Sequence, residues 1–390
     1  MNTESSRRNF LAAGLALPVA GLASTTASPT PSAAAPQQAG GPAGKLSYRV
    51  LGKTGMKVTT VGYGCMITSD PSVITRAVDM GINYFDTSRG YQGGQNERMV
   101  GAALGAKRKD VFVSSKADGP WTGTSILAQL DTSLKELNTD HLDVWLLHGL
   151  SSGAQITDDL VEAQRKAKQQ GKVRFIGMST HTLPAVVDRV IEAKLEIVQA
   201  QYNFTSPAEF NAAVDKLNQA GVGVVAMKVM ARAGGGRRGG GAPAPAPAIP
   251  AGRMTAALKW AIKNPGIATT VPSMTDIDQL EQNFAVMGQS FTDADQKVLT
   301  ATLEQIRPYF CRMCGQCEGQ CPKGLPARDL VRFVMYADGY GQFPLGREGF
   351  QKMSAEHQAI RCGDCSSCAI NCPHGVRVAQ QAMRAQELFA

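Results

Sequence analysis

Two twelve-residue stretches, CRMCGQCEGQCP at 311–322 and CGDCSSCAINCP at 362–373, each space four cysteines by two, two and three residues and close on proline. The pattern C-x2-C-x2-C-x3-C-P holds cubane [4Fe-4S] clusters: three thiolates in one tight turn reach three corners of a cube, while the fourth is carried past it. A second set of reactive side chains lies earlier in the chain, where apolar runs end on polar residues. Asp86 ends NYFD, Lys116 ends VFVSSK, His148 ends VWLLH, and Tyr91 follows Asp86 by five residues. Singly, each has a structural explanation: a helix cap, a solvated strand end, a hydrogen-bonded rim residue, a loop aromatic. Together, a phenol, an ammonium, a carboxylate and an imidazole are the parts of a proton-transfer site.

Two complete matches to one cysteine pattern predict two clusters in one folded unit. In paired-cluster ferredoxins the fourth cysteine serves the other cluster. The same crossing here assigns Cys311, Cys314, Cys317 and Cys372 to one cube and Cys362, Cys365, Cys368 and Cys321 to its neighbour. Structural zinc pairs two C-x2-C knuckles rather than using this triple, and disulfides would crowd so many close cysteines. Eight of the nine cysteines belong to the motifs; the ninth, Cys65, reads as a small core residue.

The elements that must position the polar set are short apolar runs alternating with helical segments over 45–273: NYFDTS, DVFVSSK, LDVWLLH, RFIGMS, EIVQAQYN, GVGVVAMK and IATTVPS, separated by stretches such as SILAQLDTSLKELN and DLVEAQRKAKQQGK. This alternation predicts an α/β protein built on a (β/α)8 TIM barrel, whose chemistry lies at the C-terminal strand ends. The strand count is one short unless TTVGYGCM supplies the first, with RVLGKTGMKV before it as a hairpin across the barrel floor. A doubly wound sheet is the rival, but no GxGxxG follows an early strand.

The chain resembles the aldo/keto reductase family over nearly all of the barrel, on YFDTSRGYQGGQNE, LDVWLLH, GKVRFIGMST and the late LEQN. It is most similar to a subgroup with ferredoxin-type C-terminal tails, which shares the AMK stretch. The resemblance implies that Tyr91 is the general acid, Lys116 its neighbour, Asp86 the partner of Lys116, and His148 the residue orienting the carbonyl. A tyrosine of ordinary pKa donates reluctantly near neutrality, so a nearby ammonium is expected to lower the Tyr91 pKa. For NAD(P)H the resemblance implies Ser179 and Gln199 at the carboxamide, with Thr180 replacing the usual Asn, and Met227 at the position of the stacking aromatic. Asn283 keeps the family's spacing, but the usual 2′-phosphate-gripping Lys and Arg fall on Ser273 and Gln279. In the loop ARAGGGRRGGGAPAPAPAIPAGRM, which covers the cofactor pyrophosphate in the family, Arg232, Arg237 and Arg238 fit either that cover or a solvent loop.

The N-terminus, SRRNFLAAGLALPVAGLA, sets Arg7 and Arg8 ahead of about fourteen mostly apolar residues, too few for a membrane span. It resembles a twin-arginine signal, which predicts export in the folded state to the periplasm or another extracytoplasmic space. The formal charge of +8 falls to about +3 once two clusters of about −2 each and the leader are counted, and no basic run marks nucleic-acid binding. The expected organisation is a leader and start of linker at 1–35, linker at 36–45, barrel at 46–303 and a two-cluster domain at 304–390. The expected function is carbonyl reduction or alcohol oxidation on a small molecule, coupled through the clusters to a redox partner. A nicotinamide-binding subunit without turnover and an electron carrier whose barrel only docks partners are the alternatives.

Overall fold

The computed structural model describes residues 45–231 and 250–390. The expected leader, the expected linker apart from Lys45, and Arg232, Arg237 and Arg238 lie outside them. The described chain opens with the anticipated hairpin, β1 (Tyr48–Val50) antiparallel to β2 (Lys57–Thr59). Its tip presses onto the barrel floor. Gly52 has φ +53°, and a Cβ there would sit 2.4 Å from the Gly223 nitrogen, so a side chain is excluded by both backbone and space. Leu51, Met56 and Val58 then plug the barrel from below against Tyr84, Val144, Leu146, Ile197 and Val225.

Eight strands follow: β3 (Tyr63–Gly64), β4 (Tyr84–Asp86), β5 (Phe112–Ala117), β6 (Leu142–Leu147), β7 (Val173–Thr180), β8 (Ile197–Gln201), β9 (Gly223–Met227) and β10 (Thr269–Thr270). Each pairs in parallel with the next, and isolated bridges from Val61 to Thr270 and from Gly64 to Ser273 join the last to the first. The segment TTVGYGCM thus supplies the first barrel strand. Strands covered on both faces need continuous apolar runs; all six residues of β6, LDVWLL, are buried.

Helices start where a side chain satisfies their free N–H groups: Asp70 caps Pro71–Asp79, Thr122 caps Gly123–Glu136 and Thr157 caps Asp158–Gln169. Their apolar faces, among them Ile74, Ile126, Leu130 and Leu160, form the outer core around the strands. At about 1.5–3 kcal/mol for each fully buried large aliphatic side chain, this layer is what keeps the strand ends in register.

Helix Asp293–Ile306, opened by a Thr292–Asp295 capping box, runs across residues 303 and 304 and leads into the first cysteine motif. Helices Ala327–Val334, Phe343–Gln351, Ala355–Ala359 and Val378–Phe389 frame the two motifs, with one π-turn at Met335–Gly339. The tail has two small cores. One joins Ile306, Phe310, Val331, Val376 and Val378 to Ala231 and Phe204 of the barrel. The other, farther along, packs Leu330, Phe333, Val334, Phe350, Ala382 and Phe389. The tail with the two cysteine motifs therefore rests on the C-terminal mouth of the barrel, and Gln201 of β8 donates to the Arg312 carbonyl at 3.3 Å. No helix among the described residues is long and apolar enough to cross a membrane.

Candidate active site and cluster sites

The parallel register brings Asp86, Lys116, Ser179 and Gln199 to one end of the barrel, with Asp86 opposite Ser114 and Ser179 opposite Gln199. Lys116 is completely buried, which a charged amine tolerates only when its protons are matched. They are: its Nζ donates to Asp86 Oδ1 and Oδ2 at 2.8 and 2.7 Å and to the Thr87 carbonyl at 2.7 Å. Gln199 Nε2 donates to Asp86 Oδ2 at 3.0 Å.

Tyr91 begins a tight turn, Tyr91–Gly94, over this pair; its ring centroid is 4.9 Å from Lys116 Nζ and 5.7 Å from the His148 ring, edge-on at 77°. The turn is tied down on both sides. Arg89 donates to the Gly94 carbonyl at 2.7 Å and pairs with Glu97, itself fully buried and accepting from Ser115 Oγ at 2.5 Å. Gln92, in the left-handed region at φ 51°, donates to the Thr68 carbonyl at 2.7 Å.

The expected fall of the Tyr91 pKa is not found. Burial pushes its phenol well above the ordinary value, and the Asp86 carboxylate adds to the rise. The reason is the pairing just described: the Lys116 charge is matched by Asp86, and the ammonium meets the phenol ring rather than the hydroxyl. Tyr91 is therefore held in the protonated form.

His148 has a partner that sequence reasoning missed. Asp118, two residues past Lys116, lies 2.5 Å from His148 Nδ1, and Ser88 Oγ lies at 3.2 Å from the same atom. Burial opposes ionisation of Asp118, but the hydrogen bond and charge of His148 outweigh it and hold the carboxyl below its usual range. With a carboxylate as acceptor, Nδ1 carries the proton; neither His148 nor Lys116 is in the lining of the cleft beside Tyr91.

The cleft is lined by Tyr91, Asp86, Gln199, Met227 and Ser273 of the anticipated residues, together with Gly64, Met66, Lys228, Met254 and Tyr340. Ser179 and Thr180 are instead in strand-end hydrogen bonds, Ser179 Oγ accepting from Gly149 N–H at 2.8 Å and Thr180 Oγ1 from Thr182 N–H at 3.0 Å. Gln279 and Asn283 lie on helix Ile277–Phe284, outside the lining; Gln279 binds the Asp276 cap and Thr275. Cys65 is fully buried in the outer core, as expected, and burial drives its thiol pKa upward.

The eight motif cysteines all carry free thiols and fall into two groups. Cys311, Cys314, Cys317 and Cys372 line one cavity beside Arg312, Arg328 and His374. Burial pushes the Cys311 thiol up to about 12, a Met313 N–H to its sulfur at 3.3 Å opposes this, and Cys317, Cys314 and Cys372 are the next influences. Cys362 is likewise raised by burial and then by Cys321, Cys368 and Cys365. Cys372 of the second motif thus shares a cavity with three cysteines of the first, and Cys321 of the first lies within electrostatic reach of Cys362. Among the described residues no three His, Cys, Asp or Glu side chains converge as one metal ion requires. An all-cysteine donor set spread around a cavity fits a cube instead.

Two parts of the chain match known families. Residues 69–241 match the aldo/keto reductase family and residues 310–376 match the 4Fe-4S dicluster domain. The chain is 28% identical over 308 residues to L-galactose dehydrogenase of Arabidopsis thaliana, covering 67% of this chain and 96% of that one. It is 30% identical over 229 residues to the oxidoreductase YrpG of Bacillus subtilis (strain 168), covering 50% and 69%. In fold it is similar to the holo form of aldo-keto reductase AKR11C1 from Bacillus halodurans, with TM-score 0.56, 23% identity and coverage of 66% and 96%. An aldo-keto reductase from Klebsiella pneumoniae, solved with NADPH, superposes with TM-score 0.53 at 24% identity over 66% and 95%. The protein is an oxidoreductase equipped for iron–sulfur electron transfer, and its chain belongs to the aldo/keto reductase family.

Proposed function

We propose that the protein reduces a small carbonyl compound, or oxidises the corresponding alcohol, on a nicotinamide held in the Tyr91 cleft. The observation that carries this is the buried Lys116–Asp86 pair beneath a protonated Tyr91. The cleft also fits the cofactor: Gln199 Oε1 is buried with no hydrogen-bond partner, an acceptor placed where a carboxamide N–H₂ can satisfy it. Gln199, Met227 and Ser273 would hold the nicotinamide end, which supplies the hydride when bound. Tyr91 donates the phenolic proton to the carbonyl oxygen as negative charge develops there. His148, its Nδ1 fixed by Asp118, orients that oxygen through Nε2. Asp86 and Lys116 form a rigid, charge-matched base that keeps Tyr91 in place.

Among the described residues, the positions where the family grips the 2′-phosphate carry no cation. Where the family's cations are expected stand Ser273 and Gln279, and Gln279 is bonded to the Asp276 carboxylate, whose charge repels a phosphate. NADH is therefore accepted at least as well as NADPH. Cofactor released by denaturing natively exported protein, and fluorescence titration with both dinucleotides, test this; a preference for NADPH above about tenfold, or about 1.4 kcal/mol, contradicts it.

The two cysteine quartets would hold two [4Fe-4S] clusters, which exchange electrons with a partner one at a time. Cys365 and Cys368 are exposed, so a partner can reach the second quartet from outside. Arg7 and Arg8 support export after the clusters are assembled, since assembly needs reduced thiols. The double substitution Arg7→Lys, Arg8→Lys should retain the protein in the cytoplasm; unchanged export would contradict the twin-arginine route.

A further inference from the structure

Beside the cleft lies a second cavity formed jointly by barrel and tail, with His181, Gln201 and Lys228 on the barrel side and Arg332, Tyr336 and Tyr340 on the tail side. Lys228 and Tyr340 line the Tyr91 cleft as well, so the two spaces adjoin.

Lys228 is the first residue past β9. It is held at φ +57°, a left-handed conformation that strains a lysine, and fully buried Asn203 donates to its carbonyl at 3.0 Å. The ammonium is thereby aimed into the mouth. No carboxylate among the described residues pairs with it. Its neighbours are two tyrosines, the Tyr336 ring at 4.9 Å and the Tyr340 ring at 5.3 Å from Nζ to centroid, with a side-chain hydrogen bond to Tyr336, and Met66 Sδ at 4.0 Å. Lys228 is partly buried, and cation–π contacts of this kind replace only part of the hydration its ammonium gives up.

Two further nitrogens in the same cavity are buried without a hydrogen-bond partner, His181 Nε2 and Arg332 Nε. The Arg332 guanidinium pairs with Asp329 at 3.2 Å and lies over the Phe333 ring at 5.8 Å, contacts that leave its Nε unused. The surplus of positive charge is visible in its neighbours: burial, Lys228 and Arg332 depress His181, and Lys228 and Arg332 overcome burial to bring Tyr336 below the ordinary tyrosine value. Unmatched donors and charge in a cavity that opens onto a reaction site are what an incoming anion satisfies.

We propose that this cavity is an oxyanion subsite of the same active site, which takes the carboxylate of an anionic carbonyl substrate and which the cluster domain completes by placing Arg332 and Tyr336 over Lys228. The proposal rests on the carbonyl-reductase reading and narrows it to aldehyde or keto acids. A phosphate of the cofactor is the other source of an oxyanion, and the test separates the two.

Anaerobically purified holoprotein is assayed with succinic semialdehyde against butyraldehyde, and succinate and succinamide are titrated calorimetrically without turnover. The parent should favour the carboxylate member of each pair by about 10- to 100-fold, the value of a hydrogen bond to a charged group, with the kinetic part carried by KM. Lys228→Met should reduce both ratios to near 1, Lys228→Arg should restore most of them, and Arg332→Met should lower them, each at unchanged iron content. No carboxylate preference in the parent, or one that survives Lys228→Met, overturns the proposal. So does Lys228→Met weakening NADH and NADPH binding while leaving both ratios intact, which would assign the charge to the cofactor. Binding of succinate, lost in Lys228→Met, without reduction of either aldehyde would keep the subsite and contradict the reductase reading instead.

Discussion

Lys116 directs its ammonium to both carboxylate oxygens of Asp86, at 2.8 and 2.7 Å, and presents only its charge to the ring of Tyr91, at 4.9 Å from the centroid. The pair is thus a foundation beneath the phenol, and the tyrosine above it keeps its proton. Lys116→Met leaves Asp86 buried without its cation, which costs about 3–5 kcal/mol when one partner of such a pair is removed. The expected result is a lower melting temperature together with a loss of activity, read by calorimetry and initial rates. A variant as stable as the parent would contradict the role given to the pair.

The pH dependence follows from the direction of the Tyr91 shift. A phenol whose pKa is raised stays protonated through and beyond the ordinary tyrosine value, so the donor form is present at every pH below it and is lost only as pH rises past the raised value. The ¹³Cζ resonance of labelled Tyr91, assigned by its disappearance in Tyr91→Phe, should remain that of a phenol up to at least about pH 10. A phenolate signal near neutrality would show that Lys116 does lower the pKa.

Glu97 touches no part of the cleft, yet it anchors Arg89 and through it the turn that carries Tyr91. Glu97→Ala strands a guanidinium whose side chain is only 17% exposed, and should cost about 3 kcal/mol of stability. It should also lower kcat, because Tyr91 loses its fixed position. Loss of stability with kcat intact would show that the turn holds Tyr91 by other contacts.

Much of this was legible in the sequence, and for a physical reason. Asp86, Lys116 and His148 interrupt apolar runs at the points where buried strands must end, and the cysteine spacing carries the crossed quartets. Asp118, Lys228, Tyr336 and Tyr340 were not legible. Asp118 meets His148 thirty residues later, on the loop after the adjacent strand. Lys228 meets tyrosines more than a hundred residues away, through the docking of tail on barrel. The direction of the Tyr91 shift also escaped, because it depends on burial outweighing a cation already paired, a balance that only the assembled site reveals.

The crossed quartets make a distinctive prediction. Cys321→Ser lies in the first motif but should empty the second site, leaving about four irons per chain where about eight are expected in the parent. The remaining cluster should be the one whose signal is lost in Cys314→Ser, as EPR of the two reduced variants would show. Loss of the same signal in both variants would contradict the crossing.

The central claim is that Tyr91 delivers the proton when a carbonyl is reduced in this barrel. Stopped-flow single turnover of holoprotein preloaded with NADH and mixed with an aldehyde tests it most directly, following absorbance of the reduced nicotinamide, in the parent and in Tyr91→Phe. The nicotinamide should be oxidised in the parent, and at a rate lower by about 10²–10⁴-fold in Tyr91→Phe, with iron content and cofactor affinity unchanged. Equal single-turnover rates in the two proteins would contradict it.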